Sequence, residues 1–225
     1  RSLLSLISSE NFETSHFPFA TAKYIFINDK KIWAQRLSYV GELGWELFIP
    51  IESAKEVYKT IVKIGKKFAL KHAGLHTMDI LRIEKGFLHW GHDMSPEETP
   101  FEVGLDMFVS LKKSEEFNGR NIMEKQFREG TNKKLVYLTL KENNEPGKPL
   151  LLHDEPIYLE DKIIGRTTSG NYSFNYKKNI SFGYINSCNS IKDIKNKKLF
   201  IEVEKQKYPV NIELKPLKDK NIKLA

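Results

Sequence analysis

The sequence predicts an α+β unit, with helices packed on one face of an antiparallel sheet, followed by a small β-barrel. Three observations lead there. A strand–turn–strand pattern begins at Lys23, two segments with apolar residues at helical spacing follow it, and from Lys134 the pattern changes to short β runs. The change of pattern puts a domain boundary near residue 130, giving units over 1–130 and 131–225. No internal repeat or low-complexity linker separates them.

Each element has a local reason. The opening RSLLSLI has leucines at helical spacing and reads as the end of a helix. Residues 23–28 (KYIFIN) form a strand, Asp29-Lys30-Lys31 a turn, and residues 32–40 a second strand. After Gly41-Glu42 a third strand covers 43–49 and stops at Pro50, which cannot donate to a ladder. Ala54, Val57, Tyr58, Ile61, Ile64 and Phe68 then repeat at helical spacing with lysines between them. A further helix covers 75–85 and stops at Gly86. Ser95-Pro96-Glu97-Glu98 has the residues of a helix start, with a serine cap, a proline and a glutamate at capping-box spacing. Residues 118–129 make another short helix. The later runs LVYLTL, PIYLE, KIIGRTTSG, ISFGYI, KLFIEVE and YPVNIEL are separated by Gly, Asn, Asp and Lys turns, as in a small barrel or sandwich.

Composition narrows the function classes. The chain has 225 residues, 40% of them hydrophobic, enough for one sizeable core or two modest ones without disulfides or metals. Cys188 is the only cysteine, so no intrachain disulfide is possible. A reducing, cytoplasmic setting is the simplest reading, and an organelle matrix is compatible with it. No run of about 18 apolar residues is present, so no membrane span is expected, and the first residues lack the layout of a signal peptide. The net charge of +7 comes largely from lysines near the C-terminus. They alternate with isoleucine, leucine and aspartate, as on solvated faces, and lack the interleaved aromatics of a nucleic-acid platform.

Conventional catalytic patterns are missing. There is no GxSxG elbow, P-loop or GxGxxG, and one cysteine cannot supply a sulfur-rich zinc site. His89, His92 and Asp93 are close in sequence but offer no fourth ligand, so no metal is expected. The informative stretch is RLSYVGELGWELFIP, residues 36–50. Period-2 alternation puts Trp45, Leu47 and Ile49 on one face and Glu46 and Phe48 on the other. A carboxylate among apolar residues is costly to bury unless something satisfies it. Two readings stand at this point: Glu46 faces solvent or an arginine, or it awaits a ligand.

This stretch resembles the glycine cleavage T-protein (aminomethyltransferase) family, in which a tyrosine, a glycine turn and a glutamate seven residues later line the folate pocket. Tyr39 and Glu46 stand at those positions. The resemblance continues in family order through AGLHTMDILRIEKGF, WGHDMSPEETPFEVGL, FNGR and TTSGNYSFNYKKNISFGYI, which covers most of the chain. The wording WGHDMSPEETP is similar to the folate-binding C-terminal halves of dimethylglycine and sarcosine dehydrogenases. The resemblance implies the folate-binding aminomethyltransferase fold, partial here because the early part of the domain is expected to be missing.

The same resemblance implies tetrahydrofolate as cofactor and one-carbon transfer from a small methylamine-type donor. Glu46 would accept the paired N–H donors of the pterin, and Tyr39 would supply an aromatic wall or a hydroxyl contact. Arg82 matches a family arginine near the pocket, against the plainer reading of an arginine paired with Glu84 or another acid. Phe87 stands where dehydrogenase relatives often have tyrosine, so a ring remains without the hydroxyl. No residue matches the family's catalytic aspartate, so the catalytic group is unassigned. A lipoyl carrier protein or a flavin-containing dehydrogenase domain would be the implied partner. Nucleic acid and membrane are not expected as partners. A polyglutamylated cofactor tail would suit the basic charge, and a non-catalytic folate-binding module is the alternative.

Overall fold

The computed structural model describes residues 1–142, 144–186, 194 and 197–217. Cys188 and most of the two lysine-rich C-terminal stretches lie outside the described residues. The chain divides into two compact units, Arg1–Met78 and the residues from Asp79 onward, each considered by itself.

In the first unit a short helix α1 (Ser2–Ile7) precedes an antiparallel sheet of β1 (Ala22–Ile27), β2 (Lys30–Gln35) and β3 (Glu46–Phe48), in the order β1-β2-β3. Helix α2 (Ile51–Gly65) follows. The sheet's inner face carries Ile25, Ile27, Ile32 and Ala34, packed with Leu4, Phe12, Phe17 and Val57, while Leu47 and Ile61 close the edges. Each such aliphatic side chain contributes roughly 1.5–3 kcal/mol relative to exposure, which is what fixes the register. Asn28 and Asp29 take positive φ at the β1–β2 turn, a conformation these two residues tolerate well.

Two of the three strands differ from expectation. Strand β2 ends at Gln35; beyond it the Arg36 main chain still pairs with Thr21 and Ala20 at 2.9 and 3.1 Å, and its guanidinium donates to the Phe17 carbonyl at 2.7 Å. The following loop is held by the Glu42 N–H on Ser38 Oγ at 3.3 Å and by Gly41 in the left-handed region. That loop takes up the start of the expected third strand and leaves β3 only three residues long.

The second unit holds α3 (Leu75–Lys85), whose first residues belong to the first unit, then α4 (Pro100–Val103), α5 (Arg120–Glu129) and a closed barrel. The barrel strands are β4 (Lys133–Leu140), β5 (Pro156–Leu159), β6 (Lys162–Ser173), β7 (Lys178–Asn186), β8 (Leu199–Val203) and β9 (Gln206–Glu213). They are ordered β4-β7-β6-β5-β8-β9, and β9 pairs back onto β4. Val136, Leu138, Leu140, Ile157, Ile185, Ile201 and Ile212 fill the interior. Leu135 and Tyr137 face outward yet are also buried, under Ile83 of α3 and Val103 of α4. Burial on both faces explains why β4 reads as an unbroken apolar run rather than an alternation.

The expected helix start at Ser95 is a turn instead. Glu98 accepts from the Ser95 N–H and hydroxyl at 2.8 and 2.7 Å. Pro100 disfavours helical geometry at Thr99, so the helix restarts there, with Thr99 and Glu102 forming the true capping box.

Candidate functional site

Glu46 opens β3, directly opposite Gln35 of β2, with Phe48 opposite Trp33 and Trp33 opposite Tyr24 of β1. Residues directly opposite in an antiparallel pair share a face. The outer face therefore shows an in-register row Tyr24–Trp33–Phe48 beside a row holding Gln35 and Glu46. The Tyr24 and Trp33 rings meet edge to face at 4.8 Å, and Lys31 lies 4.0 Å over Tyr24. Tyr24 and Phe48 each keep 53% of their surface exposed, so this apolar row is open rather than part of a core. Glu46 is also exposed. Neither Glu46 nor Gln35 has a side-chain hydrogen-bond partner among the described residues.

The alternation read from the sequence holds across this segment. Trp45, Leu47 and Ile49 pack against the core, with Phe12 edge-on to the Trp45 indole at 5.4 Å. Tyr39 sits half-buried in the loop between β2 and β3. It and Glu46 thus belong to one loop-and-strand segment anchored by Arg36 on Phe17.

Arg82 and Phe87 belong to the second unit. Arg82 is 1% exposed near the C-terminal end of α3. Its Nε donates to Asp79 at 2.8 Å and Nη2 to Ser169 Oγ at 2.7 Å, with Nη2 also forming an ion pair to Asp79 at 2.7 Å. Nη1 donates to the Phe87 carbonyl at 3.1 Å and to Asp93. All three guanidinium nitrogens are engaged within the protein. The acids are Asp79 and Asp93, whereas Glu84 accepts from Ser173 Oγ and Asn175 Nδ2 at 2.5 and 2.6 Å. Phe87 follows Gly86, whose φ of 82° ends the helix and whose missing Cβ would fall 2.1 Å from Pro216. The Phe87 ring is 40% exposed.

Asp93 is the centre of this network, a role its sequence neighbours conceal. It is fully buried and accepts from the His89 N–H at 2.9 Å, Thr168 Oγ1 at 2.5 Å, Ser169 Oγ at 2.7 Å and Arg82. Tyr184 donates to its main-chain carbonyl at 2.6 Å. Consecutive strand residues normally point to opposite faces, yet Thr168 and Ser169 reach one carboxylate oxygen because β6 carries a bulge between Thr167 and Ser169. With both carboxylate oxygens occupied, Asp93 has its acceptors committed to the fold. The His89 and His92 rings lie 4.8 Å apart. Among the described residues no group of three or more His, Cys, Asp and Glu is placed to hold a metal ion, and no helix is long and apolar enough to cross a membrane.

Burial and neighbouring acids push the Tyr137 and Tyr184 hydroxyls far above the ordinary phenol range. Both act as neutral groups at any physiological pH. Burial works to raise the Glu98 carboxyl, but the Lys133 ammonium and Ser95 outweigh it, and the net shift is downward.

An α+β layer followed by a closed six-stranded barrel, with an open carboxylate on the sheet's outer face, defines a class of two-part folds. The comparisons then give the family. The family model for the GCVT N-terminal domain matches residues 1–113, and that for the glycine cleavage T-protein C-terminal barrel domain matches residues 133–219. The chain belongs to the glycine cleavage T-protein family.

Among individual proteins, it is 34% identical over 185 residues to mitochondrial dimethylglycine dehydrogenase of Rattus norvegicus, covering 82% of this chain and 21% of that one. It is 32% identical over 186 residues to the mitochondrial pyruvate dehydrogenase phosphatase regulatory subunit of Mus musculus, again 82% and 21%. The crystal structure of glycine cleavage system aminomethyltransferase T from Bartonella henselae shares the fold. The TM-score is 0.74 at 20% identity, over 94% of this chain and 55% of that one. The chain thus spans about a fifth of the length of these curated relatives.

Proposed function

We propose that this chain binds tetrahydrofolate and serves one-carbon transfer from a small methylamine-type donor to it. The observation that carries the reading is Glu46, a carboxylate with no side-chain partner among the described residues, on an open sheet face beside an aromatic row. An ionised carboxylate only accepts hydrogen bonds, and two parallel N–H donors on a ring edge are the partners that best satisfy it. Tyr39 is the second pterin residue. In the second unit, considered by itself, Phe87 is an exposed ring able to stack on an aromatic ligand, and Arg82 holds the Phe87 main chain. Bound tetrahydrofolate supplies the nitrogen that receives the one-carbon unit. The chain's own residues bind and orient it, and in such a reaction placing the reactants together lowers the barrier by itself.

The donor side requires a partner, either a lipoyl carrier protein or a flavin-containing dehydrogenase domain. A functional boundary near residue 130 and a reducing, cytoplasmic compartment complete the proposal. The likeness to a phosphatase regulatory subunit favours a second reading, a folate-binding module without turnover.

Calorimetric titration with a reduced folate tests the first reading. Micromolar binding by the parent, weakened at least tenfold in Glu46→Gln, is the expected result. The neutral amide presents a donor to a donor edge and leaves a hydrogen bond unmade, worth about 1.4 kcal/mol or more. Equal binding by the two proteins overturns the assignment. Binding that persists without any single-turnover transfer selects the second reading.

A further inference from the structure

We infer that Gln35 is a specificity residue of the same site, reading the carbonyl of the ring edge whose N–H groups Glu46 accepts; this rests on the pterin reading above. The register places Gln35 directly opposite Glu46 on the outer face of the sheet. The two side chains leave backbones whose Cβ atoms are about 5 Å apart in such a pair. Neither has a side-chain hydrogen-bond partner among the described residues. A carboxamide and a carboxylate standing side by side on an open face, with no side-chain partner among the described residues, present a group that can donate beside two acceptors.

That set has a chemical complement. The recognition edge of a 4-oxo pterin shows an exocyclic amine, a ring N–H and a carbonyl oxygen, which is donor, donor, acceptor. Glu46 satisfies the first two, and an acceptor-only carboxylate can do nothing for the third. The Gln35 Nε2 amide is the donor that completes it. The next row of the same face is Tyr24–Trp33–Phe48, aromatic on all three strands and open to solvent. A flat heteroaromatic ring held at its edge by Gln35 and Glu46 has that row within the next step of the sheet, which favours a bicyclic ring over an aliphatic ligand.

The arrangement discriminates. A carboxamide can turn to donate to a carbonyl or accept from an amine, whereas a carboxylate at the same place can only accept. The chain is titrated with a 4-oxo reduced folate and with its 2,4-diamino analogue, whose ring nitrogen beside the 4-amino group carries no hydrogen for Glu46. In Gln35→Glu the 4-oxo form weakens at least tenfold, because a carboxylate faces the carbonyl, while the 2,4-diamino analogue keeps its affinity. In Gln35→Leu the 4-oxo form weakens at least threefold. Circular dichroism of each variant confirms the fold, and the retained diamino ligand in Gln35→Glu guards against simple loss of structure.

Glu46→Gln separates the two levels of the argument. Weakened 4-oxo binding in Glu46→Gln with unchanged 4-oxo affinity in both Gln35→Glu and Gln35→Leu overturns the Gln35 assignment alone. No binding of either ligand by the folded parent overturns the pterin reading and this inference with it.

Discussion

Arg82 shows how a residue can match a functional pattern and be committed elsewhere. Its three guanidinium nitrogens are engaged by Asp79, Asp93, Ser169 and the Phe87 carbonyl, and it is 1% exposed. Removing one member of a buried charged network leaves the other uncompensated. Arg82→Met is therefore expected to destabilise the barrel unit by about 3–5 kcal/mol in urea unfolding. Arg82→Lys recovers only part of that, because an ammonium cannot reproduce the planar fork. Urea curves that overlay the parent's would remove the network from the account. The sequence displayed Arg82 and Asp93 but not their pairing, which needs the β6 bulge to turn Thr168 and Ser169 onto one oxygen. Glu46 was legible because two-residue alternation fixes a strand's faces, and Trp45, Leu47 and Ile49 pack where that rule puts them. Gln35 was not singled out, since its place opposite Glu46 depends on where the loop ends.

At the scale of elements, the helices and barrel strands were the readable part. Residues 75–85 and all six barrel strands follow hydrophobic runs bounded by turn residues, and a strand covered on both faces, like β4, shows it as an unbroken run. The misplaced pieces were those decided by local turns and caps, the loop after β2 that shortens β3 and Thr99 capping α4. Thr99→Ala removes the capping box and is expected to cost about 1 kcal/mol by chemical denaturation, with the helix signal of α4 too short to dominate. Thr99→Ser should restore most of it. Barrel closure is less forgiving. A Cβ at Gly165 would fall 1.8 Å from the Tyr184 carbonyl oxygen across the β6–β7 pair. Gly165→Ala is expected to lose several kcal/mol or fail to fold, and an unchanged melting temperature would contradict the close approach.

For the molecule as a whole, charge sets the pH and salt behaviour. The Glu98 carboxyl lies below its ordinary value because Lys133 and Ser95 outweigh burial. A group depressed on folding stabilises the native state above its unfolded pKa, and that contribution disappears as pH falls through the folded value. The stability difference between parent and Glu98→Gln should thus be full above about pH 5 and shrink in more acid solution. A difference that grows in acid would contradict the direction of the shift. The net charge of +7 makes a second prediction. A polyglutamylated reduced folate is expected to bind more tightly than the monoglutamate at low salt, with the gap closing as ionic strength rises. Equal affinities at low salt would leave the charge without a role in binding.

The central claim is that the outer face of the first unit's sheet receives the cofactor's ring at Glu46. The most direct measurement is intermolecular nuclear Overhauser contact between a reduced folate and aromatic protons of the full chain. The account predicts contacts from the pterin to Tyr24, Trp33 or Phe48, all lost in Glu46→Ala. Contacts to other aromatic rings that persist in Glu46→Ala, with none to this row, would place the ligand elsewhere and contradict it.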